Sequence, residues 1–194
     1  THMTVVDRHG GIVAATHTIN SLFGARYMVG DTGMIANNYM YLFDPHPGRA
    51  LSIAPGKRVP TSMAPVMGLK DGEAQFALGL TGGVRIFTSA MQAVVNLISH
   101  GMSLQEAVEA PRVWTQGGVL ELETGVPDAT ANILRERGHS IVATKHLGGG
   151  MNGVSRQQDG SWLGAACWRA DGTAMAVGGG NAREGVRFFP EVGV

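Results

Sequence analysis

The chain has 194 residues, 44% of them apolar, which is enough for one substantial core and too few to suggest two independent domains. Lys plus Arg and Asp plus Glu both number 15, so the net charge argues against nucleic acid, an anionic membrane or a polyanion as partner. No apolar run reaches the roughly 18 residues of a membrane span and no signal-peptide pattern opens the chain, which leaves a small molecule as the expected ligand.

The first segment, Thr1-His2-Met3-Thr4-Val5-Val6-Asp7, lacks an initiator Met and is patterned as a strand, as a proteolytic product would be; its first three residues alone fit a cloning scar equally well. A polar connection of hairpin length, Arg8-His9-Gly10-Gly11, leads into a second strand over Ile12 to Ile19. The same pattern recurs at Asp71-Gly72 before Gln75 to Leu78, at Asp159-Gly160 before Ser161 to Leu163, and at Asp171-Gly172 before Thr173 to Val177. Four hairpins imply antiparallel sheet. Between them, Ile86, Ala90, Ala93, Val94, Leu97 and Ile98 recur at helical spacing and predict a buried helix over Val84 to His100. Ser103 and Glu106 form a capping box for a second helix stopped by Pro111, and a third runs from an Asp128 cap to Gly138. Strands at both ends with helices between them predict a single α+β layered domain over 1–194. Neither Gly148-Gly149-Gly150 nor Gly178-Gly179-Gly180 is followed by the helix and Lys-Ser/Thr of a phosphate-binding loop, so no nucleotide is expected, nor any other cofactor or metal. Cys167, the single cysteine, forms no internal disulfide and reads as a small core hydrophobe.

Several residues have types suited to acyl transfer. An N-terminal Thr carries nucleophile and base together, its hydroxyl lying within reach of an α-amine whose reference pKa is about 7.7 to 8.0. Gly82-Gly83 precedes the predicted long helix, where backbone N–H groups at the positive end could stabilise an oxyanion, each donor contributing roughly 3 to 4 kcal/mol. Standing alone, the pair reads as an ordinary turn. Thr61-Ser62, between Pro60 and Met63-Ala64-Pro65, offers two hydroxyls to a ligand carboxylate. Arg112, after Pro111, reads as a structural salt-bridge cation.

Successive blocks resemble the small subunit of the γ-glutamyltransferase family: the opening heptapeptide, Ala15 to Asn20, Gly33 to Asn38, Pro55 to Pro65, Gly79 to Ile86, Gly101 to Val108, and Ala110-Pro111-Arg112. They occur in the family's order from residue 1 to about 140. The resemblance implies a four-layer αββα sandwich of the N-terminal-nucleophile hydrolase type, cut from a longer precursor and paired with the large subunit from that precursor. It also implies a small amide substrate and suggests a periplasmic location. Residue by residue, it implies Thr1 as nucleophile, Thr18 as its hydrogen-bond partner, Gly82 and Gly83 as the oxyanion donors, Asn20 as a contact to the acyl tail, and Thr61 with Ser62 as the carboxylate site.

Three departures matter. Tyr39 and Leu42 stand where the transferases carry polar or acidic partners for the γ-glutamyl α-ammonium. A pocket without that acid suits a glutaryl group, as in the branch similar to cephalosporin acylases, which leave 7-aminocephalosporanic acid. An ordinary γ-glutamyltransferase and a non-catalytic module of the same fold are the alternatives. Second, the family places one more residue between its nucleophilic Thr and the following His-x-Ser/Thr-Val-Val-Asp, so Thr1 aligns one position late; a one-residue slip on a strand reverses the face a side chain occupies. Third, Cys167-Trp168-Arg169 replaces a common Asp-Pro-Arg, and no role follows from it.

Overall fold

The computed structural model describes residues 1–177; the Gly178-Gly179-Gly180 run lies outside them. The first hairpin is β1 (His2–Val6) and β2 (Ile12–Thr16), antiparallel with His2 opposite Thr16 and Val6 opposite Ile12. Asp7 closes its turn by accepting the N–H groups of His9 and Gly11 at 2.8 Å, an Asx-type arrangement that explains why a polar, Gly-containing tetrapeptide sits there.

A four-stranded antiparallel sheet follows in the order β3-β4-β8-β9, from Val66–Lys70, Glu73–Leu80, Met151–Arg156 and Trp162–Ala166. Its central strand, β4, is buried on both faces. Phe76, Leu78 and Leu80 point to one side, against Ile86, Ala90 and Ala93 of α1 (Ile86–Ser99) and Leu104 and Val108 of α2 (Leu104–Glu109). Completely burying side chains such as Leu78, Leu80 and Leu104 contributes roughly 1.5 to 3 kcal/mol each. Ala77 and Gly79 point to the other side, where the β1-β2 hairpin packs: a Cβ on Gly79 would overlap the His2 ring. The order of layers is hairpin, four-stranded sheet, helices.

The sequence reading missed a second sheet, β5-β6-β7 (Val113–Trp114, Leu120–Glu123, Ile141–Thr144), in which β6 and β7 pair in parallel across α3 (Asp128–Glu136). Its strands have two to four residues, too few for a period-2 pattern to register. Gln92 ties it to α1 by exchanging two 2.9 Å hydrogen bonds with the Val113 backbone, and Arg85 reaches Glu121 at 2.9 Å while stacking 4.0 Å from the Trp114 ring centroid.

The α+β class and the first three predicted hairpins or their strands are present. The fourth is not: Asp171-Gly172 makes a turn, yet Thr173 to Val177 form no strand among the described residues. The long helix starts at Ile86, after a 3-10 turn over Gly83–Arg85, and is half-buried, with Phe87, Met91, Val95 and Ile98 on an exposed stripe. Ile98, predicted as core, is 68% exposed. The capping box forms as expected, Ser103 Oγ accepting from Glu106 N and Glu106 accepting from Ser103 N at 2.7 Å. In the third helix Pro127 is the cap and Asp128 the first helical residue.

Candidate active site

His2 anchors the start of β1. Its ring is buried, spans Thr16 Oγ1 at 2.8 Å and Thr4 Oγ1 at 3.0 Å, and lies over Gly79. Burial, reinforced by the neighbouring α-ammonium charge, lowers its pKa to about 4, so the imidazole is neutral at pH 7. Asn152 Nδ2 donates to the His2 carbonyl at 2.9 Å, which fixes β1 over the end of β4 and β8. The beginning of β1 is thereby held at the end of the sheet from which Thr81-Gly82-Gly83 emerge.

Side chains alternate along a strand, and His2, Thr4 and Val6 are more buried than Thr1, Met3 and Val5. Thr1 is exposed and lies on the outward face; its amine donates to the His17 carbonyl at 2.8 Å, and its carbonyl accepts from His17 N at 2.9 Å. A residue joined to that amine would continue the strand on the inward face, with His2. Thr18 and Asn20 were expected on the paired strand, but β2 ends at Thr16 and they follow it in an irregular segment. Thr18 Oγ1 accepts from Asn20 N at 2.8 Å, and no bond joins it to Thr1 among the described residues.

Gly82 and Gly83 follow β4 after the single residue Thr81 and open the 3-10 turn that leads into α1. Both have positive φ, 138° and 60°, a region that favours glycine. Among the described residues neither amide donates to another group of the chain, so both are available at the positive end of a helix. At Gly82 the constraint is internal: a Cβ would come within 2.7 Å of Gly148 Cα and 2.8 Å of Gly149 N.

Asn20, at φ 75°, donates from Nδ2 to Asn38 Oδ1 at 3.0 Å, and Asn38 also bonds Ser21. Asn38 precedes the 3-10 turn Tyr39–Leu42, so Asn20 and the Tyr39/Leu42 segment lie next to each other. Tyr39 and Leu42 are half-buried, and this turn contains no acid. The acid next in sequence, Asp44, is committed to His46 at 2.8 Å and Arg49 at 3.2 Å, and its pKa is lowered first by the His46 backbone N–H. Thr61 is exposed, its Oγ1 accepting from Met63 N at 3.1 Å, and Ser62 is half-buried; no bond links either to Asn20 or Leu42. No cluster of His, Cys, Asp and Glu suited to a metal occurs among the described residues.

Arg112 and Arg169 turn out to be central to the packing behind this site. Both meet Glu123 in the interior, Arg169 through its side chain and Arg112 through its backbone N–H at 2.8 Å. Sequence reading attached no role to Arg169, because nothing in Cys-Trp-Arg reveals that a distant Glu shares its pocket.

Comparison with known proteins bears on the family and the fold. The chain is 65% identical over 188 residues to the Acylase ACY 1 proenzyme of Pseudomonas sp. (strain SE83), covering 97% of this chain and 34% of that protein. Among solved structures it is similar to the gamma-glutamyltranspeptidase of Pseudomonas nitroreducens, with TM-score 0.82 and 30% identity over 91% of this chain and 99% of that one. It is also similar to a cephalosporin acylase from Bacillus halodurans, with TM-score 0.71 and 28% identity over 77% of this chain and 28% of that one. The chain spans about a third of the length of these curated relatives. The Gamma-glutamyltranspeptidase family model matches residues 1–177, and with the fold and the order of the blocks this places the chain in the gamma-glutamyltranspeptidase family.

Proposed function

We propose that this chain is the catalytic part of an amidohydrolase that cleaves glutaryl-type amides, such as a glutaryl cephalosporin, through an acyl-enzyme on a Thr at the start of β1. The attacking hydroxyl gives its proton to the α-amine as its oxygen adds to the amide carbonyl, the oxyanion is received by the Gly82 and Gly83 amides, and the C–N bond breaks as the leaving amine takes that proton from the α-amine. Water then hydrolyses the ester. The observation that carries the glutaryl reading is the acid-free Tyr39–Leu42 turn beside Asn20. A γ-glutamyl group would bury its α-ammonium there without a partner, a cost of several kcal/mol, whereas a glutaryl group has no such cation. Its terminal carboxylate is assigned to Thr61, Ser62 and Asn20.

Strand alternation favours a second reading of the nucleophile. Thr1 is the residue proposed by resemblance, but its outward face favours the residue joined to its amine in a longer precursor. Labelling the mature enzyme with an electrophilic glutamine analogue, followed by peptide mass mapping, distinguishes the two.

The rest of the precursor is proposed as the obligatory partner. Met3, Val5 and Val13 on the outer face of the hairpin and Leu22, Phe23, Tyr27 and Met28 beyond it leave apolar surface that a lone domain rarely exposes. The missing helical layer of the sandwich would cover the hairpin face.

The test is competition between matched glutaryl and γ-glutamyl anilides with the matured full-length enzyme. The glutaryl anilide is expected to have the higher kcat/KM, and Leu42→Asp to move selectivity toward the γ-glutamyl anilide by tenfold or more. A wild-type preference for the γ-glutamyl anilide replaces this reading with a transferase whose ammonium-binding acid comes from the other subunit.

A further inference from the structure

We propose that Arg112, with Glu123 and Arg169, is a buried positioning device that aims the Gly82 amide through the 147–150 loop; the proposal rests on the oxyanion role given to Gly82 above. The starting point is a charge cluster that stability alone does not account for. Arg169 pairs its guanidinium with the interior carboxylate of Glu123, the buried Arg112 guanidinium is spent on backbone carbonyls instead, and Arg112 is depressed to about 10 by burial first and by Arg169 second. Buried ion clusters of this kind are commonly no more stable than apolar packing of the same volume, so their geometry is the more informative property.

That geometry converges on one loop. Glu123 Oε1 accepts from Leu147 N at 2.6 Å, and Arg112 Nη1 donates to the carbonyls of Leu147 at 2.9 Å and Gly149 at 3.0 Å. Arg169 locks the carboxylate from the far side, donating from Nε to Glu123 Oε1 at 2.7 Å and from Nη2 to Oε2. It also donates to the Val108 carbonyl at 3.1 Å and the Ala110 carbonyl at 2.9 Å, fixing the cluster to the end of α2. Cys167 Sγ lies 3.7 Å from Arg112 Nη2 and accepts from Met151 N at 3.1 Å, just past the loop.

The loop in turn holds Thr81 on both sides. Gly149 N donates to the Thr81 carbonyl at 2.8 Å, and Thr81 N donates to the Gly150 carbonyl at 3.3 Å. The Thr81 carbonyl and the Gly82 N–H belong to the same planar trans peptide, in which the two bonds point in opposite directions. Fixing the carbonyl on Gly149 therefore fixes the direction of the Gly82 N–H. The relay has three links: Arg112 to the Gly149 carbonyl, Gly149 N–H to the Thr81 carbonyl, and the peptide plane to Gly82. Close packing of Gly82 on Gly148 and Gly149 prevents that plane from rocking. A donor that must meet charge as it develops loses most of its value when it can swing, which gives the buried cluster a catalytic purpose without any contact to substrate.

The experiment uses the matured full-length enzyme with Arg112→Lys, which keeps the charge but cannot span both loop carbonyls as the guanidinium fork does. Hydrogen–deuterium exchange should rise together in peptides covering 147–150 and 81–85. The glutaryl anilide kcat should fall tenfold or more with KM within threefold. A kcat within twofold of wild type while exchange rises overturns the proposal, as does a loss confined to KM. Should Arg112→Lys not fold, Gly149→Ala probes the same relay without touching a buried charge, because its methyl would overlap Thr81 Oγ1. It should lower kcat by a similar factor and be partly rescued by Thr81→Gly; an unchanged kcat overturns the proposal equally. If the wild type cleaves neither anilide, the functional reading falls, while the joint or separate change in exchange still decides whether the cluster controls the Gly82 turn.

Discussion

At the scale of single residues, the site is built from small side chains whose replacement acts through neighbours. Gly82→Ala introduces a methyl against Gly148 and Gly149, whereas a methyl on Gly83 meets nothing within 4 Å and suffers only from its φ of 60°. Gly83→Ala should therefore cost about 1 to 2 kcal/mol of stability, and Gly82→Ala more than that, by comparative urea unfolding. His2 makes a pH prediction. Its pKa falls from 6.5 in the unfolded chain to about 4 in the fold, so the unfolded state binds the proton first. The stabilisation is complete above pH 6.5 and is lost as pH drops toward 4. His2→Gln should flatten that part of the profile of Tm against pH. The Gly pair, Asn20 and the departures at Tyr39 and Leu42 were singled out through the resemblance, since residue identity alone reads the pair as an ordinary turn. His2 was not, because its role depends on Gly79, more than seventy positions away, having no side chain.

At the scale of elements, legibility followed the length and local character of the pattern. The capping box at Ser103 and Glu106 is a four-residue signal and was read correctly; Ser103→Ala should cost about 1 kcal/mol, measured as a shift in the urea midpoint. The turns after Asp7, Asp71 and Asp159 were equally local. The β5-β6-β7 sheet escaped because its order depends on a parallel pairing between Leu120 and Ile141 that no short-range feature announces. Thr173 to Val177 failed in the opposite way, a short apolar run after a good turn that finds no neighbouring strand among the described residues. Glu123 lies in β6, and its carboxylate joins β6, the end of α2 and the 147–150 loop. Glu123→Leu leaves the interior Arg169 guanidinium without its counter-charge and the Arg112 and Leu147 N–H groups without their acceptor, and should destabilise by about 3 to 5 kcal/mol in chemical denaturation.

For the molecule as a whole, what remains exposed is as informative as what is buried. Phe87, Met91, Val95 and Ile98 line one side of α1, while Met3, Val5 and Val13 line the outer face of the hairpin. A chain left with both surfaces uncovered should self-associate and bind a hydrophobic dye when produced alone, and should do neither when co-produced with the partner proposed above. Size-exclusion chromatography with dye titration checks this. The four-layer sandwich was legible only through resemblance, since the described chain itself supplies two sheet layers and one helical layer. The contact between His2 and Gly79 extends to protein engineering, because it makes two distant positions one variable. A library that randomises residue 79 alone will return few folded members, since any added carbon collides with the imidazole. Randomising 2 and 79 together opens the combinations in which a Ser or Ala at 2 makes room for a methyl at 79, and only such a paired library can sample this end of the sheet.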